Sequence, residues 1–149
     1  MRITRRLEFD AGHRIPNHGS LCRHLHGHRY AIEVTVSGDI VSEEGDAEQG
    51  MVADFVSLKS LVQQHIATPW DHAFLVYAQD LPVVEFLKSI PGHRTVKFDA
   101  PPTAEHLSVS AFRILEAALA ATYGTRVLLE QVRIYETPTC WADALRGDR

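Results

Sequence analysis

The chain has only two cysteines, two tryptophans and two methionines among its 149 residues. Two thiols cannot build a disulfide framework, and reduced thiols fit a cytoplasmic location. No apolar run approaches the roughly 18 residues that a membrane span requires. Long runs of lysine and arginine are missing and the formal net charge is −4, which removes the electrostatic footprint expected of a nucleic-acid binder. The opening stretch MRITRRLEFDAGHRI is charged from the start and alternates, unlike a secretory signal peptide. Repeats, low-complexity tracts and linkers are also lacking. What remains, 45% apolar and 23% charged, is the composition of a globular chain with a real core. The expectation is a single domain over residues 1–149.

Ile3, Leu7, Phe9, Ala11 and His13 share one parity, against Thr4, Arg6, Glu8 and Asp10, which predicts a half-buried strand. Pro16, Asn17 and Gly19 mark a loop. Alternation resumes from Tyr30 through Ile32, Val34 and Val36. Residues 39–50 are acidic and unpatterned, a solvated loop or hairpin. Phe55, Leu58, Leu61, Val62 and Ile66 recur at helical spacing behind Asp54, an N-cap residue, and this helix is expected to end before Pro69. DLPVVEFLKSIPG predicts a short helix with Pro82 in its first turn, and RTVKFD a short strand. A long helix follows, capped by Thr103, with Glu105 at its positive end and Gly124 closing it. Its expected buried face is Leu107, Ile114, Leu115, Ala118 and Leu119. In VLLEQVRIYE, the last clear strand, Leu128, Val132 and Ile134 face one way. Glu136 ends that apolar face, where a carboxylate needs a partner such as a salt bridge. The order predicts an α+β fold with a mostly antiparallel sheet.

Five of the nine histidines lie between His13 and His28, and CRHLHGH packs three of them and Cys22 into seven residues. In an extended segment, residues two apart point the same way, so His26 and His28 present two imidazoles side by side. Gly27 between them leaves room for close approach. If the two strands pair as a hairpin, His13 joins them at one end of the sheet. Three neutral imidazoles suit Zn²⁺ and leave a fourth position for water or substrate, the pattern of a catalytic rather than a structural site. Without metal they are ordinary surface or core histidines. His18 and His24 read as loop residues. Cys22 has three open readings: a fourth ligand that closes the site, an inert buried thiol, or a reactive base with a lowered pKa. Cys140 reads as a packed or exposed thiol, and Asp71-His72, taken alone, as an ordinary loop pair.

The segments FDAGHR, CRHLHGH, ADF, WDHAFL, PTAEHL and YETPTCWAD, in this order, resemble the 6-pyruvoyl-tetrahydropterin synthase family. The spacing Cys22-x3-His26-Gly-His28 is similar to that of its bacterial branch, the 6-carboxy-5,6,7,8-tetrahydropterin synthases of queuosine biosynthesis. The resemblance covers nearly the whole chain. It implies a tunnelling fold (T-fold): an antiparallel sheet with helices packed on one face, several subunits joining their sheets into a barrel, and sites at the subunit interfaces. A homo-oligomer, with a hexamer favoured, is the expected assembly. The implied zinc ligands are His13, His26 and His28. Cys22 becomes the proton-abstracting residue, Asp71 and His72 its relay, and Glu136 the anchor of the pterin, with Thr103 in the turn nearby. The implied activity is that of a lyase taking 7,8-dihydroneopterin triphosphate to 6-carboxy-5,6,7,8-tetrahydropterin, with loss of triphosphate and acetaldehyde. Formation of 6-pyruvoyl-tetrahydropterin or cleavage of a sepiapterin side chain is the alternative chemistry. A non-catalytic zinc- or pterin-binding protein is the alternative of another class, against which the matching relay residues argue. The chain departs from the family's pattern in residues 75–101, which are longer than usual. Arg14, Arg23, Arg29 and Lys97 are the cations available to a triphosphate.

Overall fold

A computed structural model describes residues 1–148. Strands β1 (Arg2–His13) and β2 (His26–Gly38) run antiparallel along their whole length, from Arg2 opposite Ser37 to His13 opposite His26. Burial follows the predicted parity, with Leu7, Phe9, Ala11 and His13 of β1 and Tyr30, Ile32, Val34 and Val36 of β2 buried. A slip of one residue would turn both sets out to solvent, so the register is fixed by the core.

On one side β2 pairs with β5 (Val127–Thr137) and β5 with β6 (Cys140–Leu145), both antiparallel. On the other side β3 (Ala73–Tyr77) lies parallel to β1, and β4 (Thr95–Phe98) parallel to β3. The sheet order is β4-β3-β1-β2-β5-β6. The sheet is mostly antiparallel, as expected, and becomes mixed through its β3–β4 edge. Neither β3 nor β6 stands out in the sequence. AFLVY is buried on both sides, so it lacks alternation. CWADAL is an edge strand whose one buried residue is Ala144.

The apolar parity of β5 differs from the expected one. Val127 and Leu129 are buried, then Val132 and Ile134, while Leu128 is only partly covered. The register shifts between Thr35 and Val36 of β2, so that Thr35 faces Gln131 and Val36 faces Leu129. This bulge adds one residue to β5 and moves the inward set by one position. Glu136 keeps the parity of Val132 and Ile134 and points into the same layer.

Helix α1 (Phe55–Val62) starts at Asp54, whose carboxylate accepts from the N–H groups of Val56 and Ser57. The helical path does not stop before Pro69. A π turn over Gln63–Ala67 leads into α2 (Thr68–Trp70), with Pro69 in that new first turn. Proline is accommodated where the π turn gives way to that new turn, and the chain continues to the buried Trp70.

Helix α3 (Leu81–Lys88) and helix α4 (Ala104–Tyr123) fall where the sequence places them, α4 capped by the Thr103 hydroxyl and closed by Gly124 at φ 61°. Leu107, Ala111, Leu115 and Leu119 form the buried stripe of α4, whereas Ile114 is exposed. At about 100° per residue, Ile114 lies a quarter turn from the stripe's centre at Leu115, on its rim. The main core lies between α1, α2 and α4 and the sheet face carrying Phe9, Ile32 and Ile134. Helix α3 makes its own small cluster with Val76 and Phe74, which have the opposite parity on β3 from the core residues Ala73 and Leu75.

Candidate metal centre

The paired ends of β1 and β2 bring His13, His26 and His28 together. One nitrogen from each ring lies within 4.8 Å of the others. His13 Nδ1 bonds the Pro102 carbonyl at 2.9 Å, just before α4 begins, and His26 Nδ1 bonds the His24 carbonyl at 2.8 Å. A carbonyl only accepts, so each Nδ1 carries the hydrogen. Each neutral ring then has its lone pair on Nε2. Those two Nε2 atoms face each other at 3.1 Å. The third, His28 Nε2, is buried with no hydrogen-bond partner. Facing lone pairs and an orphaned nitrogen call for a cation between them. The donor set therefore fits a divalent ion that takes nitrogen ligands, and the carbonyl bonds fix the tautomers that ligation needs.

The local electrostatics point the same way. Burial pushes the His13 imidazole below its ordinary value, against the upward pull of the Pro102 carbonyl and the Glu136 carboxylate. Burial also lowers His28, opposed by Glu136. Both rings thus favour the neutral form that a metal binds. Glu136 Oε2 lies 3.9 Å from His13 Nε2 and Oε1 lies 3.8 Å from His28 Nε2, so the carboxylate at the end of the apolar face adds its negative charge to the three-nitrogen cluster. Beneath the rings, the buried Tyr30 stacks on Phe9, and its hydroxyl has no hydrogen-bond partner. Sequence parity marked Tyr30 as core and gave no sign of that orphaned hydroxyl.

Cys22 is half-buried in a one-turn 3-10 helix (Leu21–Arg23). Its sulfur does not join the three-histidine group, so the ligand set stays open at three. The thiol lines a hollow of about 260 Å³ together with Thr103, Glu105, Glu136 and Cys140. Thr103 is also the N-cap, its hydroxyl accepting from the His106 N–H. His18 and His24 stay in the loop: His18 Nδ1 accepts from the Ser20 N–H, and His24 offers its carbonyl to His26.

Asp71 and His72 are held elsewhere. Asp71 accepts from the Asp10 N–H at 2.9 Å, and the His72 N–H donates to the Asp10 carbonyl at 2.6 Å. Asp71 also pairs with His72 Nδ1 at 2.9 Å, and these contacts hold His72 at φ 53°, a left-handed conformation rare outside glycine. The Asp10 N–H, and after it the His72 ring, keep Asp71 below the ordinary carboxylate range. His72 lines an open hollow with Gly12, His26, His28, Arg29 and His93, and Cys22 is not among its lining residues. Within one chain, therefore, the structure does not bring the expected relay pair to Cys22.

The expected phosphate cations divide as well. Arg14 is taken up by Asp80, and Lys97 lies on another groove, beside Trp70 and α4. Arg29 pairs with Glu8 beside the His72 hollow.

A mixed sheet backed by helices on one face, with three imidazoles gathered at the end of its central strand pair, places the chain among the tunnelling-fold proteins. Solved structures agree on that fold. An uncharacterized protein from Wolinella succinogenes superposes with a TM-score of 0.78 at 21% identity, covering 99% of this chain and 98% of its own. The 6-pyruvoyl tetrahydropterin synthase of Plasmodium vivax gives 0.72 at 20% identity, covering 98% of each chain. The chain belongs to the 6-pyruvoyl tetrahydropterin synthase family, whose family model matches residues 2–146. Among named relatives, the 6-carboxy-5,6,7,8-tetrahydropterin synthase of Rickettsia bellii is 30% identical over 143 residues, covering 96% of this chain and 99% of the relative. The Haemophilus influenzae protein of the same name is 29% identical over 144 residues, covering 95% and 96%.

Proposed function

We propose that this chain is a zinc-dependent 6-carboxy-5,6,7,8-tetrahydropterin synthase. It would convert 7,8-dihydroneopterin triphosphate and water to 6-carboxy-5,6,7,8-tetrahydropterin, triphosphate and acetaldehyde, as a cytoplasmic homo-oligomer, with a hexamer favoured. The observation that carries the reading is the open set of three neutral imidazoles, two with lone pairs face to face, beside a hollow lined by a thiol and a carboxylate. Relatives named for this reaction, matching over nearly the whole chain, support the choice of substrate.

His13, His26 and His28 would hold the zinc ion. Once bound, the ion supplies Lewis-acid polarisation of the oxygens on the substrate's side chain. Glu136 accepts two parallel N–H bonds from the amino-pyrimidinone edge of the pterin, a planar match like that of a carboxylate with a guanidinium. This turns the ring's side chain toward Cys22. The Cys22 thiolate takes the proton from the side-chain carbon and returns it later. His72, oriented by Asp71, shuttles a second proton. Because His72 and Cys22 line different hollows, the pair serving one thiol comes from a neighbouring copy. The small volume of the Cys22 hollow, about 260 Å³ against the roughly 300–1,000 Å³ usual for ligand clefts, fits a site completed by a second chain.

The deciding experiment incubates the zinc-loaded protein with 7,8-dihydroneopterin triphosphate and identifies the products by mass. Acetaldehyde and a carboxylated tetrahydropterin are expected. A retained pyruvoyl side chain would assign the alternative chemistry, and tight pterin binding without turnover would make the chain a binding protein. Cys22→Ala should keep one zinc per chain and lose most activity. Loss of the metal in that variant would make Cys22 a ligand and close the site.

A further inference from the structure

The segment 75–101 reaches the site described above through His93, which lines the His72 hollow. It carries one unusual group. Three polar or charged side chains are buried among the described residues, His13, Asp80 and Ser108, and Asp80 is the sole carboxylate of the three. Asp80 occupies the N-cap position of α3, where an aspartate ordinarily accepts from the helix's first N–H groups, as Asp54 does for α1. Asp80 makes no such bond. Both of its oxygens turn instead to Arg14, at 2.6 Å from Nε and 2.8 Å from Nη2. This two-pronged geometry fixes a guanidinium in orientation as well as position.

Arg14 directly follows His13, and its remaining nitrogen, Nη1, donates to the Arg23 carbonyl at 3.4 Å. The N–H of Ile15 donates to the carbonyl of Cys22 at 2.8 Å. Two successive carbonyls of the Cys22 turn are therefore held by two successive residues at the exit of the metal strand. Nothing apolar anchors that turn. None of its residues is buried, and Leu21 and Leu25 are 79% and 53% exposed. Its placement rests on hydrogen bonds, and the fork from Asp80 holds the donor of one of them. Helix α3 is seated in turn by Val83, Val84 and Leu87 against Val76 and Phe74.

We infer that Asp80 is a positioning residue which, through Arg14, holds the Cys22 turn in register with the three histidines, and that helix α3 serves to present it. The catalytic consequence rests on the function proposed above. The positional one does not.

The test uses the zinc-loaded full chain in a Cys140→Ser background, which leaves Cys22 as the sole thiol and sets the reference rates. Asp80→Asn keeps the side chain's shape and removes the ionic fork. The expected result is a several-fold faster alkylation of Cys22 by iodoacetamide and a kcat lower by on the order of tenfold to a hundredfold. KM should stay within about twofold and zinc should remain at one per chain, because Asp80 touches neither substrate nor metal. Alkylation and kcat equal to the background, with only the melting temperature lowered, would overturn the inference and leave Asp80 a structural ion pair. If Asp80→Asn does not fold, Arg14→Lys decides by the same readouts, since lysine keeps the charge but cannot span both partners. If the protein turned over no pterin, the proposed function would fall while the alkylation rates still decided the clamp.

Discussion

Gly27 lies between two candidate ligands, where β2 passes closest to β1. A Cβ placed there would stand 2.8 Å from the Ala11 carbonyl oxygen and 3.4 Å from Gly12 Cα. Both are backbone atoms, so no rotamer can relieve the contact. Moving that oxygen from 2.8 Å to at least 3.4 Å is a retreat of about 0.6 Å. It would pry β1 from β2 at the pair Ala11–His28, two residues from the facing pair His13–His26. Overpacking that shifts backbone costs about 1–3 kcal/mol. In a chain of this length about 2 kcal/mol lowers the melting temperature by about 4–8 °C. Metal–ligand distances tolerate only about 0.2 Å, so metal affinity should fall by about tenfold or more. Thermal melts with and without zinc, and a zinc titration against a chromophoric chelator, would measure both effects in Gly27→Ala. Two controls sharpen the test. Gly19→Ala has nothing within 4 Å and should change neither quantity. In Gly12→Ala the new Cβ meets Phe74 Cδ2 at 2.7 Å, a side-chain atom that can turn aside, so the metal affinity should suffer less. Wild-type melting and zinc affinity in Gly27→Ala would refute the claim that close strand approach builds the site.

Two more predictions concern stability. Tyr30→Phe removes a buried hydroxyl that has no partner and keeps the ring stacked on Phe9, so the melting temperature should hold or rise by a few degrees. A clear fall would mean that the hydroxyl has a partner after all, such as an ordered water. Asp71 has its folded pKa depressed below its unfolded 3.8 by the Asp10 N–H and by His72, so the unfolded chain binds the proton more readily. The stability it contributes is complete above that value and is lost as pH falls through the depressed one. In urea midpoints taken from pH 6 to pH 3, Asp71→Asn should lose less stability on acidification than the wild type, and an unchanged acid slope would remove Asp71 from the account.

The three-histidine cluster was legible in the sequence because a strand has a period of two. The alternation that made β1 and β2 also put His13, His26 and His28 on one face, and only their pairing had to be supplied by the fold. Caps were legible for a similar reason: Asp54, Thr103 and Gly124 act on groups within three or four residues. Apart from Ile114, which helix periodicity alone puts on the rim of its stripe, the failures are nonlocal. Leu128 leaves the core face because of a bulge opposite it, at Thr35 and Val36 on another strand. Strand β3 escapes notice because α3 covers the face that would otherwise be polar. The π turn before Pro69 exists to bring Trp70 against Phe9 and Phe98, residues far away in sequence. That Cys22 and His72 line different hollows of one chain was not legible either, since sequence motifs show which groups are present but not where the fold carries each one.

That division between hollows bears on how the proposed site would work. His13 points into the layer shared with Glu136 and the Cys22 hollow. Arg14, the next residue, pairs with Asp80 of the segment whose helix covers the reverse side of β3. One peptide bond at the end of β1 therefore joins the metal layer to the element that holds the thiol's turn. Asp10, four residues earlier, fixes the Asp71–His72 turn through its backbone. Three groups are thus referenced to a single five-residue stretch, 10–14, of which residues 11–13 are paired on both edges by β2 and β3. A strand held on both sides moves little, and positioning within a fraction of an ångström is what proton transfer between such groups demands. With the thiol and the relay pair lining different hollows, the proposed chemistry unites them by setting two copies of the chain against each other. The rigidity that separates the groups within one chain is then what lets two chains present them to a common substrate without further adjustment.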